Sequence, residues 1–197
     1  GLAFYDPEKG FQRQIHNIEN TPFRTKFESD LTKFEGCFGL GCISDTDPQP
    51  LLVRSHLGLF AISTVGIINN AEELVEKTFS GPGHQFMAMS SGAVNATELT
   101  AALINRCDNL VDGIRYAQAA IKGSCTILIL KADGLIAARD QMGRLPIVIG
   151  QSENGFCAAM ESFACQKLGY QPCYNLGPGE IVQVTPDGYT QLSAPGE

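Results

Sequence analysis

Apolar residues recur along this chain with two different periods, and the change of period divides it into strand-like, helical and again strand-like stretches. Residues 2–5 are β-prone and end at Asp6-Pro7, while residues 11–15 alternate apolar or aromatic with polar, as a half-buried strand does. The two are predicted to form a hairpin over Pro7-Glu8-Lys9-Gly10. Residues 17–27 are polar and mixed and read as loop, with a short helical turn over 31–34. Residues 37–43 (CFGLGCI) predict a buried strand with close backbone neighbours, followed by an Asp- and Pro-rich loop over 45–50. Residues 51–53 and 59–62 predict two strands joined through 56–58, with Gly66 breaking the second apolar run before Ile67-Ile68.

The middle of the chain takes helical spacing. Asn70 stands where a helix cap would, and Glu73 answers it at capping-box distance. That helix is predicted to stop at Ser80-Gly81-Pro82-Gly83. Asn95 and Glu98 repeat the device ahead of Leu99, Ala102 and Leu103 on one face. A third helix starts at Asn109, carries Ile114, Ala117 and Ile121, and closes at Lys122-Gly123.

Strands then return. Residues 125–130 are an unbroken apolar run, the pattern of a strand covered on both faces. Residues 134–150 read GLIAARDQMGRLPIVIG: an apolar run, the charged pair Arg139-Asp140, a Gly-containing turn and a second apolar run. This predicts a strand, a polar turn and another strand, with the two charges compensating each other as an ion pair that pins a hairpin. Residues 156–160 predict a strand and 161–168 a short helix stopped by Gly169. Residues 181–184 and 189–192 make a hairpin over Pro186-Asp187-Gly188. Strands, helices and strands in that order, without alternating βαβ units or an internal repeat, argue for an α+β domain.

Composition narrows the function. The chain has 197 residues, 44% of them hydrophobic and 18% charged, enough for one domain with a real core. A net charge of −7 argues against a nucleic-acid backbone or an anionic membrane surface as partner. Neither a signal peptide nor an apolar run of the ~20 residues a membrane span needs is visible. Seven cysteines at irregular spacing, without a C-x-x-C pair, read as reduced thiols in a cytoplasmic protein. His16, His56 and His84 are scattered and form no metal spacing. Asp45-Thr46-Asp47 suggests a cation loop, but two carboxylates in a Pro-bounded segment are better read as a solvated turn. Gly81-Pro82-Gly83 is better read as a helix C-cap than as a phosphate loop.

The stretch GLIAARDQMGRLPIVIG resembles the signature of class II glutamine amidotransferase domains, the N-terminal-nucleophile (Ntn) amidohydrolases: glycine, apolar run, Ala-Arg-Asp, turn, Pro-Leu-Val-Ile-Gly. Glu161-Ser162 and Pro178-Gly179-Glu180-Ile181-Val182 are similar to its amidophosphoribosyltransferase branch, the glutamine-dependent first enzyme of purine synthesis. Upstream, Leu40-Gly41 before a polar loop, Gly66 before Asn70-Ala71-Glu72-Glu73-Leu74, and Thr97-Glu98 before an apolar helix fall in the family's order. The resemblance covers nearly the whole chain, specifically in its second half and by order and spacing in its first. It implies an Ntn-hydrolase-like, four-layer αββα sandwich over residues 1–197. In active members an N-terminal cysteine attacks the side-chain amide of glutamine. Its own α-amino group is the base, an Asn-Gly pair donates to the oxyanion, and ammonia passes to a synthase domain.

Measured against that family, the binding positions have changed. Residue 1 is Gly, and the chain is expected to begin after the family's opening strand and Arg-Gly-Gln segment, without the nucleophile. Ser44 stands where the family has the Arg that holds the glutamine carboxylate, and the adjacent Asp45 would repel that group. The family's His-Asn-Gly-Asn reads Thr64-Val65-Gly66-Ile67, and Val65 has no side-chain donor for an oxyanion. Ala96 replaces the Asp that binds the substrate amino group. Losing one oxyanion donor alone costs roughly 3–4 kcal/mol of barrier. Arg139, Asp140, Gly143, Pro146, Glu161, Ser162 and the Pro178-Gly179-Glu180 turn persist as structural motif.

The expectation is therefore a degenerate amidotransferase-like domain of the purine-biosynthesis type, a pseudoenzyme with no catalytic residue, structural or regulatory in role. Its expected partners are a phosphoribosyltransferase-like domain or subunit, or a second copy, with no cofactor, metal, nucleic acid or membrane. Two alternatives stay open. One is an active amidophosphoribosyltransferase-type enzyme whose cysteine lies upstream of Gly1. The other is a small-molecule binding module using the remnant glutamine pocket.

Overall fold

The computed structural model describes residues 1–79, 89–90 and 93–196. In chain order its elements are β1 (Leu2–Asp6), β2 (Gly10–Gln14), α1 (Phe23–Leu31), β3 (Phe38–Gly41), β4 (Leu51–Ser55), β5 (Gly58–Ile68) and α2 (Ala71–Phe79). Then follow β6 (Met89–Ser90), β7 (Ala93–Val94), α3 (Ala96–Ile104), α4 (Leu110–Ala120), β8 (Gly123–Lys131) and β9 (Gly134–Ala138). The last are β10 (Val148–Ser152), β11 (Gly155–Ala159), α5 (Ser162–Lys167), β12 (Gln171–Asn175), β13 (Ile181–Thr185) and β14 (Gly188–Ser193).

A six-stranded antiparallel sheet in the order β14-β13-β9-β8-β5-β4 is the central layer. Successive side chains of a strand point to opposite faces, and here both faces are buried. Phe60, Ile62, Ile127, Ile129, Ile136 and Ala138 point to one side, where they pack with Leu74 of α2, Leu99 and Leu103 of α3 and Ile114 of α4. Their neighbours Ala61 and Leu130 point the other way and meet Ala3 of β1 and Leu40 of β3. Ala137, Val182 and Val184 do the same toward Ile147, Ile149 and Leu176. The unbroken apolar run of β8 thus has the physical cause expected of it: each face needs its own apolar set.

The layer on that second side is in two pieces, the sheets β2-β1-β3 and β11-β10-β12. Leu128 and Leu135 pack against both clusters beneath them. Beyond these pieces lie short helices. Cys157 alternates with the inward Phe156 and Ala158, and α5 lies over its face with Cys165 buried. Phe4, alternating with Ala3 and Tyr5, stacks at 4.1 Å on Phe34, just after α1. The architecture is an α+β sandwich of helices, sheet, sheet and helices.

Four local expectations are corrected. Residues 17–27 are not all loop, since α1 occupies Phe23–Leu31, and the helical turn placed over 31–34 is the end of that helix. Its only buried residue is Phe27, stacked on Phe23 and edge-on to His16, so the apolar stripe was one residue wide. Gly66 does not break β5. It pairs with Cys125 inside a continuous strand, at φ 153°, where a Cβ would stand 1.9 Å from the Ser124 carbonyl oxygen. Asn70 does not make the side-chain cap. Its amide donates to Ala120 O (3.0 Å) and accepts from Lys122 N (2.8 Å), serving the orphan groups at the end of α4. The stop at Ser80-Gly81-Pro82-Gly83 lies outside the described residues.

The fourth concerns residues 134–150, which are not a hairpin. β9 belongs to the six-stranded sheet and β10 to a three-stranded one, so residues 139–147 cross between layers. Nor do Arg139 and Asp140 form an ion pair. The guanidinium donates to three carbonyls, Leu145 (2.9 Å), Leu176 (2.6 Å) and Gly143 (2.5 Å). Asp140, 3% exposed, accepts from Arg144 N at 3.3 Å, and its backbone oxygen accepts from Gly143 N and Gly179 N, each at 3.0 Å. Glu180 is fully buried and accepts from the Tyr174 hydroxyl (2.6 Å), Gly177 N (2.6 Å) and the Gln191 amide (2.5 Å).

Candidate functional site

β5 is eleven residues long, but β4 pairs only with its first part, Gly58 to Ile62. Beyond Ile62 that edge of β5 has no strand beside it among the described residues. The loop of residues 42–50 folds there instead, and a cleft of about 370 Å³ opens between the loop, the end of β5 and the start of α3.

The loop is built from its own side chains. Ser44 Oγ accepts from Asp47 N (3.2 Å) and Thr46 N (3.4 Å), a turn that short hydroxyl residues favour. Gln49, 6% exposed, then reaches the strand: its Oε1 accepts from Thr64 N at 2.8 Å and so satisfies a donor of the open edge. Across the floor Thr64 Oγ1 and Thr97 Oγ1 share a hydrogen bond of 2.7 Å. Thr97 is held in α3, whose start is capped by Asn95 Oδ1 accepting from Glu98 N at 2.8 Å. Ala96 is the first residue of that helix.

Of the six positions singled out from the sequence, Ser44, Thr64, Val65, Gly66 and Ala96 line this one cleft. Ile67 does not: it is 66% exposed and outside the lining. Ile43, Asp45, Thr46, Asp47, Gln49, Ile68, Thr97 and Cys125 complete the wall. Sequence reasoning passed over Gln49, and took Thr97 only as a marker of family order and not as a pocket residue. Gln49 sits in a segment without periodicity, and only its place between two prolines marks it; Thr97 follows Ala96 in a helix where hydroxyls are common.

Among the described residues the lining holds carboxylates, hydroxyls and one amide, but no Lys, Arg or His. An α-carboxylate entering it would meet Asp45 and Asp47 and, among the described residues, no cation. The one thiol in the wall, Cys125, is buried, and burial pushes it up to about 11, with Thr100 Oγ1 at 3.5 Å. At neutral pH it stays protonated and is no nucleophile. Among the described residues no group of three His, Cys, Asp or Glu converges as a metal site, the Asp45-Thr46-Asp47 loop included.

The persistent motif residues gather elsewhere. Arg139, Asp140 and Gly143 form the crossing between layers, Pro146 is exposed beside it, and Glu161 and Ser162 open α5 on the surface. Gly143 takes φ 61°, and a Cβ there would come 2.9 Å from Pro178 Cγ and 3.3 Å from the Arg139 guanidinium carbon. None of these residues lines the cleft.

A family model described as a glutamine amidotransferase domain matches residues 39–166, which include both the cleft and the crossing. An amidophosphoribosyltransferase from Methanocaldococcus jannaschii is 30% identical over 136 residues, covering 69% of this chain and 28% of that protein. The Escherichia coli amidophosphoribosyltransferase is 25% identical over 210 residues, covering 95% of this chain and 41% of that one. The solved glutamine phosphoribosylpyrophosphate amidotransferase from B. subtilis superposes with a TM-score of 0.76 at 25% identity, over 96% of this chain and 41% of its own. The chain thus spans between 28% and 41% of the length of these relatives.

Proposed function

The chain belongs to the glutamine amidotransferase domain family, and on that premise we propose that it is a member without glutaminase activity, structural or regulatory in role. One observation carries this reading. The cleft brings Ser44, Thr64, Val65, Gly66 and Ala96 together, and its described residues supply neither a cation for a carboxylate nor a side-chain amide at Val65 for an oxyanion. Differential binding of the transition state needs such groups at the reacting atoms.

The relatives named amidophosphoribosyltransferase support a place beside a phosphoribosyltransferase-like domain or subunit, and the resemblance read in the sequence supports a setting in purine biosynthesis. Ammonia release from glutamine by the longest natural form of the protein tests the reading. Background release is expected; turnover of about 1 s⁻¹ or more overturns it in favour of an active amidophosphoribosyltransferase-type enzyme.

A second reading is favoured by the cleft's remaining open at about 370 Å³, with both polar and apolar walls. In it the domain binds a small molecule other than an amino-acid carboxylate. A thermal-shift screen against amino acids and nucleotides separates the two: stabilisation by a neutral or cationic compound supports binding, and no stabilisation by any leaves the purely structural role.

A further inference from the structure

Remote from the cleft, Cys157 of β11 and Cys165 of α5 lie with their sulfurs 3.3 Å apart, the Cys157 thiol donating to Cys165. A disulfide bond is about 2.05 Å long, so small side-chain rotations close the gap. Three features make this a built pair. Cys157 faces Gly150 across the β10–β11 ladder, and the missing side chain of that glycine makes the room. A Cβ on Gly150 would fall 3.0 Å from Cys157 Sγ and 3.1 Å from Cys165 Cβ. Cys165 is 1% exposed and is the buried residue of α5, while Cys157 is partly exposed. One thiol is therefore reachable from solvent and the other waits behind it. Finally, α5 has six residues and no side-chain cap at Glu161, and Cys165 is the one residue it buries.

We propose that Cys157 and Cys165 are an oxidisable dithiol, closing to an intramolecular disulfide by exchange with a low-molecular-weight disulfide of the glutathione class. The Cys157 thiolate attacks one sulfur of the small disulfide. That S–S bond breaks, and the departing thiolate takes up the proton Cys157 gave. The Cys165 thiolate then attacks Cys157 Sγ in the mixed disulfide and expels the second small thiolate, which takes the Cys165 proton. Two protein thiols lose two electrons and two protons, and one small disulfide becomes two thiols. Burial, with Cys165 beside it, pushes the Cys157 thiol up to about 12, so exchange is slow at neutral pH. Cys173 is exposed on β12, its Sγ donating to Ile149 O at 3.4 Å, and is the natural competitor.

The full chain, fully reduced, is equilibrated in glutathione buffers of stepped ratio, its remaining thiols are alkylated and the peptides are mapped by mass. A Cys157–Cys165 link is expected, with a rise in Tm of about 5–10 °C in the oxidised form, the size a short closed loop gives. Cys165→Ala is expected to hold a glutathione adduct on Cys157 and form no link. The proposal is overturned if Cys157 and Cys165 both stay alkylatable while exposed Cys37 and Cys173 carry glutathione, or if the link found joins Cys173 to either. The wild-type map decides even where the variant fails to fold.

Discussion

Arg139 brings a positive charge into a half-buried turn and is met by three carbonyl oxygens, two on its own crossing at Gly143 and Leu145 and one on a distant stretch at Leu176. Its planar fork suits three acceptors at once, whereas an ammonium is a point charge. Arg139→Lys keeps the charge and loses at least one of these bonds. Hydrogen bonds to charged groups contribute about 1.5–3 kcal/mol each, so a loss of roughly 2–4 kcal/mol is expected in urea unfolding, with the m-value unchanged. The sequence marked this residue but misassigned its partner. Opposite charges next to each other in sequence suggest a pair, yet nothing local reveals that Leu176, 37 positions on, turns its carbonyl toward the guanidinium. The same holds for the cleft. Ser44, Val65 and Ala96 were singled out from the sequence and do line the cleft, while Gln49 was not, since its partner is the backbone of Thr64 on a strand edge. If the altered side chains are what empties the cleft of affinity, returning them should restore some. The triple variant Ser44→Arg, Val65→Asn, Ala96→Asp is expected to gain a glutamine-dependent rise in Tm of a few degrees at saturating ligand, absent from the parent.

Elements were legible where their burial leaves a wide pattern. α4 buries Gly113, Ile114, Ala117 and Gln118, and its Asn109 cap is made as the sequence implies. α1 buries Phe27 alone and left no period to find. α2 shows a different limit: its start was placed correctly, but Asn70 serves the end of α4 and Glu73 makes ion pairs instead of a capping box. Glu73 pairs with Lys77 at 2.6 Å and with Lys122 at 3.3 Å, tying α2 to the segment that enters β8. The Lys77 hydrogen bond, then that of Lys122, holds the Glu73 carboxyl below its usual 4.5. A carboxylate depressed in the folded state adds stability above its unfolded pKa and loses it as pH falls through the folded one. Wild type should therefore have a higher Tm than Glu73→Gln at neutral pH, and the difference should vanish on acidification below about 4.5 and shrink in high salt. Comparing the two Tm–pH curves at low and high ionic strength checks this; a difference that persists in acid would mean the contact is not electrostatic.

At the scale of the molecule, the order of strands, helices and strands was enough for an α+β class, and the resemblance for four layers. What could not be read was how residues 134–150 distribute their two strands. Turn chemistry and apolar runs are the same for a hairpin and for a crossing between layers, and only the partners β12 and β13 decide. Leu128 and Leu135 have a consequence of another kind. Each touches the apolar clusters of both small sheets, so the two sheets share part of their foundation. Load placed on one is borne by side chains the other also needs, and the two should be lost together. Leu135→Ala is expected to lower stability by about 2–4 kcal/mol while leaving a single unfolding transition. Amide exchange in β1 and in β10 should quicken by the same factor, as it would for two rooms standing on one beam.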